Sequence, residues 1–216
     1  MAKIKQGILG GFSGKVANVV GTSWKGRAVM KSQPLSVANP RTEAQQEQRG
    51  KFSKIAELAS TILTQFVQPV ENPISGNISG YNLFCKDNKS AFSALGALVA
   101  ANFFVGGGKI ASSTPSIDAT DPENDSIDLT WVNAEDVSAI RLTDKAYAVA
   151  VSEDGSQVFV SSGSATRQDE IATLGRVKGD TALASSQKYV IALAFVSADG
   201  RDVSVKSNGV AVTLAV

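Results

Sequence analysis

Tyr189-Val190-Ile191-Ala192-Leu193-Ala194-Phe195-Val196-Ser197-Ala198-Asp199-Gly200-Arg201-Asp202-Val203-Ser204 decides the reading of the fold. Tyr189, Ile191, Leu193 and Phe195 recur at period two, which sets them on one face of an extended strand. Asp199-Gly200 is a tight-turn signal, and 202–207 reads as the return strand. The same grammar surrounds this stretch. Ile127, Leu129 and Trp131 alternate with polar residues, as do Tyr147, Val149 and Val151. Asp154-Gly155 leads into 157–160. Asn208-Gly209 precedes Val210, Val212, Leu214 and Val216. Short strands joined by such turns over about 100 residues predict an antiparallel β-sandwich. Trp131 and Tyr189 are its expected inter-sheet packing residues.

Upstream the grammar changes. Val16, Asn18, Val20, Thr22 and Trp24 fall at period two, Lys25-Gly26 offers a turn, and 27–31 returns, which predicts a β-hairpin. A turn at Gly21-Thr22 would shift the register. Lys15, Lys25, Arg27 and Lys31 would decorate the hairpin, and the glycine-rich, basic 1–14 reads as an arm. A two-stranded ribbon is marginal alone, so it needs a surface to lie on. Thr42 and Gln45 form a capping-box pattern, opening a helix over 43–67 before Pro69. Its first half is polar and its second half apolar. A break at 69–80 precedes a short helix over 81–93. Residues 94–105 suit either a helix or a strand, and 106–116, with Gly106-Gly107-Gly108, read as a linker. The expected class is α+β: a basic N-terminal domain over 1–105, with hairpin and helices, then an immunoglobulin- or fibronectin-III-like antiparallel sandwich over 117–216.

Charge divides the chain. Residues 1–110 hold thirteen Lys/Arg against five acids, and 111–216 hold eight against fifteen. Such a dipole suits head-to-tail assembly or a face on a polyanion. There is no histidine, which removes His-dependent triads, His-ligated zinc and the usual general base near neutral pH. Cys85 is the one cysteine, so no internal disulfide forms, and beside Phe84 it reads as a small buried hydrophobe. No secretory signal is read at the N-terminus, and no apolar run is long enough for a bilayer. No membrane partner, cofactor or resident metal is expected.

The chemical motifs reduce to structure. Gly10-Gly11-Phe12-Ser13-Gly14-Lys15 misses the phosphate-loop spacing, and Val16 stands where Ser or Thr should. Asp118, Asp121, Glu123, Asp125 and Asp128 lack EF-hand spacing and read as a solvated loop or a contact for a basic neighbour. Glu135-Asp136 and Asp169-Glu170 have no reactive company. Asn77-Ile78-Ser79 is an acceptor pattern without meaning off the secretory route.

Two strings carry a resemblance. One is Gly14-Lys15-Val16-Ala17-Asn18-Val19-Val20-Gly21 with Trp24-Lys25-Gly26, Pro34 and Asn39-Pro40-Arg41-Thr42-x-x-Gln45-x-x-x-Arg49-x-Lys51-Phe52. The other is Gly163-Ser164-Ala165-Thr166-Arg167 with 194–204. The chain resembles a family of unknown function found in bacterial and phage genomes, which implies a particle-structural role. Its C-terminal half also looks like the immunoglobulin and fibronectin type III modules appended to phage capsid, tail-tube and fibre proteins. The resulting expectation is a structural self-assembly protein of a phage virion, in head or tail, and not an enzyme. Its partners are copies of itself and other virion proteins. Phe12, Lys15, Trp24, Lys25, Arg27, Arg41, Arg49 and Lys51 are the expected subunit-contact residues. Nucleic-acid binding is the second reading, less favoured because the cations look dispersed along the chain. A cell-surface filament or adhesive protein is the third.

Overall fold

The structure is a computed structural model that describes residues 2–3, 11–24, 26–36, 39–121, 126–133, 138–179 and 187–214. It divides into two compact units, Met1–Thr42 and Glu43–Val216.

In the first unit the strands are β1 (Ala2–Lys3), β2 (Gly14–Val16), β3 (Val19–Trp24) and β4 (Arg27–Ser32). They form an antiparallel sheet in the order β1-β4-β3-β2. Trp24 pairs with Arg27, so Lys25-Gly26 is the two-residue loop, with Lys25 itself outside the described residues. Gly26 takes φ 74°, which a hairpin loop of this length demands. The alternative turn is not used: Gly21 and Thr22 lie within β3. A second turn at Ala17-Asn18 pairs Val16 with Val19, and Ala17 takes φ 50° there. The expected five-residue face is therefore broken. Val16 belongs to the neighbouring strand, Asn18 to a turn, and only positions 20, 22 and 24 share a face of β3. The ribbon is also wider than a hairpin, because Ala2 pairs with Met30 and Lys3 with Val29. The Phe12 ring lies over Gly21, where a Cβ would stand 2.5 Å from its carbons. That close approach gives Gly21 its role. Val29 is the one buried hydrophobic among the described residues of this unit.

In the second unit, α1 (Glu43–Thr61) leads through a widened turn at Leu63–Val67 into α2 (Gln68–Glu71). Pro69 does not end the helical path. It sits in the first turn of α2, directly after the widened turn. Then follow α3 (Gly80–Asp87), shorter than the expected 81–93, and β5 (Phe104–Val105). The remaining strands are β6 (Pro115–Asp121), β7 (Ser126–Trp131), β8 (Lys145–Ser152), β9 (Val158–Ser161), β10 (Ile171–Lys178), β11 (Lys188–Val196), β12 (Ser207–Asn208) and β13 (Val210–Thr213). Seven join one sheet in the order β13-β11-β8-β9-β10-β7-β6, every pairing antiparallel. The β9–β10 ladder makes it continuous, and its edge strands β6 and β13 approach each other, so the sheet nearly closes on itself. Two separate sandwich sheets are therefore not what forms.

Inside the curve lies one core, with Ile127, Leu129, Trp131, Leu174, Tyr189, Ile191, Leu193 and Phe195. Trp131 meets Phe195 edge-on at 5.7 Å, and Tyr189 meets Phe159 at 6.0 Å. On the other side of the same sheet lies a second core. Val149, Val151, Val158, Val160, Val190, Ala192, Ala194 and Val196 pack there against Ile55, Ile62, Phe66, Phe84 and Phe103 of the helical region. Residues 43–105 are thus a layer on the sheet and not part of the domain that holds the hairpin. The packing divides the chain at Thr42/Glu43, not at 106–116.

The supposed linker is a seam. The N–H groups of Gly107 and Gly108 both donate to the Ser204 carbonyl at 2.9 Å, and those of Lys109 and Ile110 donate to Val203. Ile110 is buried in the inner core. A Cβ on Gly108 would run into the Val203 carbonyl oxygen, so the third glycine serves close approach rather than slack. Gly108→Ala is expected to cost about 3 kcal/mol. Urea denaturation measures this directly. An unchanged midpoint, as a slack tether would give, would show that this contact is not required.

Candidate functional site

The contact residues expected from sequence fall in two groups. Lys15 stands on β2, opposite Val20 on β3, which in turn stands opposite Lys31 on β4. Arg27 lies four residues before Lys31 on the same strand, hence on the same face. Lys15, Arg27 and Lys31 are exposed. Sequence reasoning placed Lys31 on the hairpin but left it out of the contact set. The period-two step from Arg27 was the available signal. Trp24 pairs across from Arg27. Lys25 lies outside the described residues. Phe12 is half-buried over Gly21 of its own sheet. Arg41 is exposed at the end of the first unit.

Arg49 and Lys51 belong to α1 in the second unit, where residues 43–50 are exposed throughout. Lys51 pairs with Glu47 at 2.6 Å. Apolar side chains are exposed here too. Phe52 is 51 % exposed on α1, and Leu95 is 98 % exposed farther along.

An open cleft of about 400 Å³ in the second unit is lined by Lys54, Glu153, Asp154 and Lys188, and Lys54 and Asp154 also line an adjoining hollow with Glu57 and Lys178. Lys54, Glu57, Asp154 and Lys178 are spent on the fold. Lys54 donates to the Gly96 carbonyl at 2.7 Å, and Lys178 pairs with Glu57 at 2.8 Å. Asp154 accepts from the Ser152 hydroxyl at 2.6 Å and from the Ser156 N–H at 3.0 Å. Burial opposes the Asp154 charge, but these hydrogen bonds outweigh it and hold the carboxyl below its ordinary value. Among the acidic loop residues, Asp128 accepts from the Thr173 hydroxyl at 2.6 Å, while Glu123 and Asp125 lie outside the described residues. Glu135-Asp136 also lies outside them. Asp169 is the carboxylate of a capping box with Thr166, accepting its N–H at 2.7 Å. No group of three or more metal-ligating side chains occurs among the described residues.

Two buried polar clusters fix the architecture. Arg167, 1 % exposed, donates from Nε to Asn133 Oδ1 at 3.0 Å and from Nη1 to the Ala111 carbonyl at 3.0 Å, with its guanidinium 4.4 Å from the Phe195 ring centre. Burial lowers its pKa. The Arg167 carbonyl accepts from Trp131 Nε1 and Asn133 Nδ2. This corner carries the Gly163–Arg167 string. The second cluster joins helix to seam. Asn88 takes the place of a strand neighbour for Phe104, accepting its N–H at 2.7 Å and donating to its carbonyl at 2.9 Å. Glu71, 2 % exposed, accepts from the Gly106 N–H at 3.2 Å. Cys85 is buried and free, and burial raises its pKa.

Burial pushes the Glu71 carboxyl up to about 7, against the smaller opposing pull of the Gly106 hydrogen bond. The folded state therefore binds this proton more tightly than the unfolded chain. Its stabilising effect is complete below about pH 4.5 and is lost as pH rises through 7. The loss is on the order of 3 kcal/mol. Glu71→Gln keeps an acceptor for Gly106 and removes the charge. Urea melts of both chains at pH 4.5, 6 and 8 should show the variant gaining on the wild type as pH rises. Parallel pH profiles would show Glu71 to be ionised without penalty.

Neither a curated protein nor a solved structure matches the chain. A family model described as "Family of unknown function (DUF6266)" matches residues 11–209, which spans both units and includes the basic sheet from β2 onward, the helical layer and the near-barrel. The protein is therefore a member of that family of unknown function.

Proposed function

We propose that this protein is a structural self-assembly protein, a component of a phage virion in head or tail, with the first unit as its contact module. The observation that carries the assembly reading is the poverty of that unit's own core. Val29 is its one buried hydrophobic among the described residues, while Val16 is 62 % exposed, Val19 39 % and Leu35 101 %. A sheet of about 40 residues with no disulfide or metal ordinarily draws its missing burial from a neighbour. Phe52 and Leu95 on the second unit add apolar surface of the same kind. The virion setting rests on the resemblance to phage-borne sequences.

The strand order supports kinship of the near-barrel with immunoglobulin-like modules. β7 lies beside β10, and β8 beside β11, which lies beside β13. These are the neighbour relations of the second and fifth strands, and of the third, sixth and seventh, in that fold. In this reading β9 is the extra strand that joins the two halves.

Sedimentation velocity of the full chain across a hundredfold concentration range tests the assembly. Growth of a larger species is expected at micromolar protein. Val16→Ser with Leu35→Ser should raise the concentration needed by at least tenfold, since each replaces apolar surface worth roughly 1–2 kcal/mol when buried. A monomer at every concentration, in low and high salt, would overturn the proposal.

A further inference from the structure

We propose that the sheet of the first unit binds the phosphate backbone of a nucleic acid through Lys15, Arg27 and Lys31. The inference is independent of the assembly reading. Residues 1–42 contain seven Lys/Arg and no Asp or Glu, so this unit carries +7 and the remainder of the chain −6. Most of the net positive charge therefore lies before the structural boundary at Thr42/Glu43, residues 43–110 carrying +1 and residues 111–216 carrying −7. The pairings Lys15–Val20 and Val20–Lys31 put two of the cations in one row across three strands, with Arg27 on the same face beyond the buried Val29. Cations that look dispersed along the chain are thus gathered by register.

None of these three side chains makes a hydrogen bond or ion pair with the described residues, and all three residues are exposed. Several cations of the second unit behave differently. Lys51, Lys178 and Lys206 are each paired with a carboxylate at 2.6–2.8 Å. Some acids of the second unit are engaged at home. Glu47, Glu57 and Asp87 hold those lysines, Asp128, Asp154 and Asp169 hold hydroxyls or backbone amides, and Glu71 is buried. The first unit contains no acid of its own, so the counter-charge to this sheet comes from outside the unit.

Its form follows from spacing. Lys15 and Lys31 stand two strands apart, about 10 Å, and Arg27 and Lys31 stand about 13 Å apart along β4. Three cations so spread on an extended face suit successive charges of a polymer better than one small anion. A phosphodiester chain supplies regularly repeated charge and gains from counterion release.

The test is fluorescence anisotropy of the full chain with a labelled 30-nucleotide single strand and a 30-base-pair duplex between 50 and 200 mM salt. Three phosphate contacts predict a log–log salt slope of about −2 for the single strand and about −2.7 for the duplex. The triple variant Lys15→Gln, Arg27→Gln, Lys31→Gln should lose at least tenfold in affinity and most of the slope. Lys86→Gln with Lys89→Gln, exposed lysines of the second unit, should change neither. Circular dichroism confirms that the variants are folded. No binding at 50 mM salt, or an unchanged slope in the triple variant, would overturn the proposal. Displacement of the nucleic acid by poly-aspartate at equal charge would overturn it too, identifying an acidic polypeptide as the partner.

Discussion

Strand β11 is buried on both faces, and the rest of the second unit is arranged to keep it so. Tyr189, Ile191, Leu193 and Phe195 enter the interior of the curved sheet, and Val190, Ala192, Ala194 and Val196 enter the core beneath the helices. Burying a valine side chain contributes roughly 1.5 kcal/mol or more. Six valines of β8, β9 and β11 lie under the helical layer, so their burial contributes roughly 10 kcal/mol, comparable to the whole stability of an ordinary domain. The helical segment cannot be a detachable neighbour of such a sheet. That requirement explains the glycine seam at 106–108, the Asn88 clamp on β5 and the tolerance of a buried Glu71. Each fastens the helical region to the strands it covers.

The same constraint separates the two units in chemical character. Where two apolar cores are available, ionic groups are paired or capped on the periphery, as with Lys178–Glu57 and Lys206–Asp87. The first unit has one buried hydrophobic among its described residues and no acid in its sequence. Its strands are short, its described interior reduces to Val29, and Lys15, Arg27 and Lys31 are exposed. A segment that is both under-packed and uniformly basic is poorly optimised as an isolated solute. It is well suited to a surface completed by something else, with apolar exposure supplying burial and charge supplying attraction.

Much of this was legible in the sequence. Period two identified most of the antiparallel strands, Asp154-Gly155 and Asp199-Gly200 stand in turns, and Lys25-Gly26 marked the hairpin loop. By contrast, Asn208 lies within β12, and the expected return over 202–207 is reduced to bridges at Val203 and Ser204. The helix start at Glu43 followed from local capping chemistry. Other features were hidden for definable reasons. Ala17 at φ 50° gives no warning of a turn, because alanine rarely adopts that conformation. Gly106-Gly107-Gly108 looks the same whether glycine supplies slack or permits backbone contact. The period-two reading of 189–195 attended to one face. The intervening Val190, Ala192, Ala194 and Val196 make the run apolar on both faces, which is the mark of a strand covered twice. That signal held the layer architecture, and with it the true boundary of the two units.

The candidate site divides along the same line. Lys15 and Arg27 could be chosen from sequence because charge is a property of composition. Their gathering with Lys31 could not, because it depends on two turns whose positions fix which residues stand in register. A one-residue slip at either turn would send a cation to the opposite face. Charge told where the candidate surface lies in the chain, and strand pairing told how its cations are arranged. The basic character of the segment becomes a directed feature only once the Ala17-Asn18 and Lys25-Gly26 loops have set the alignment.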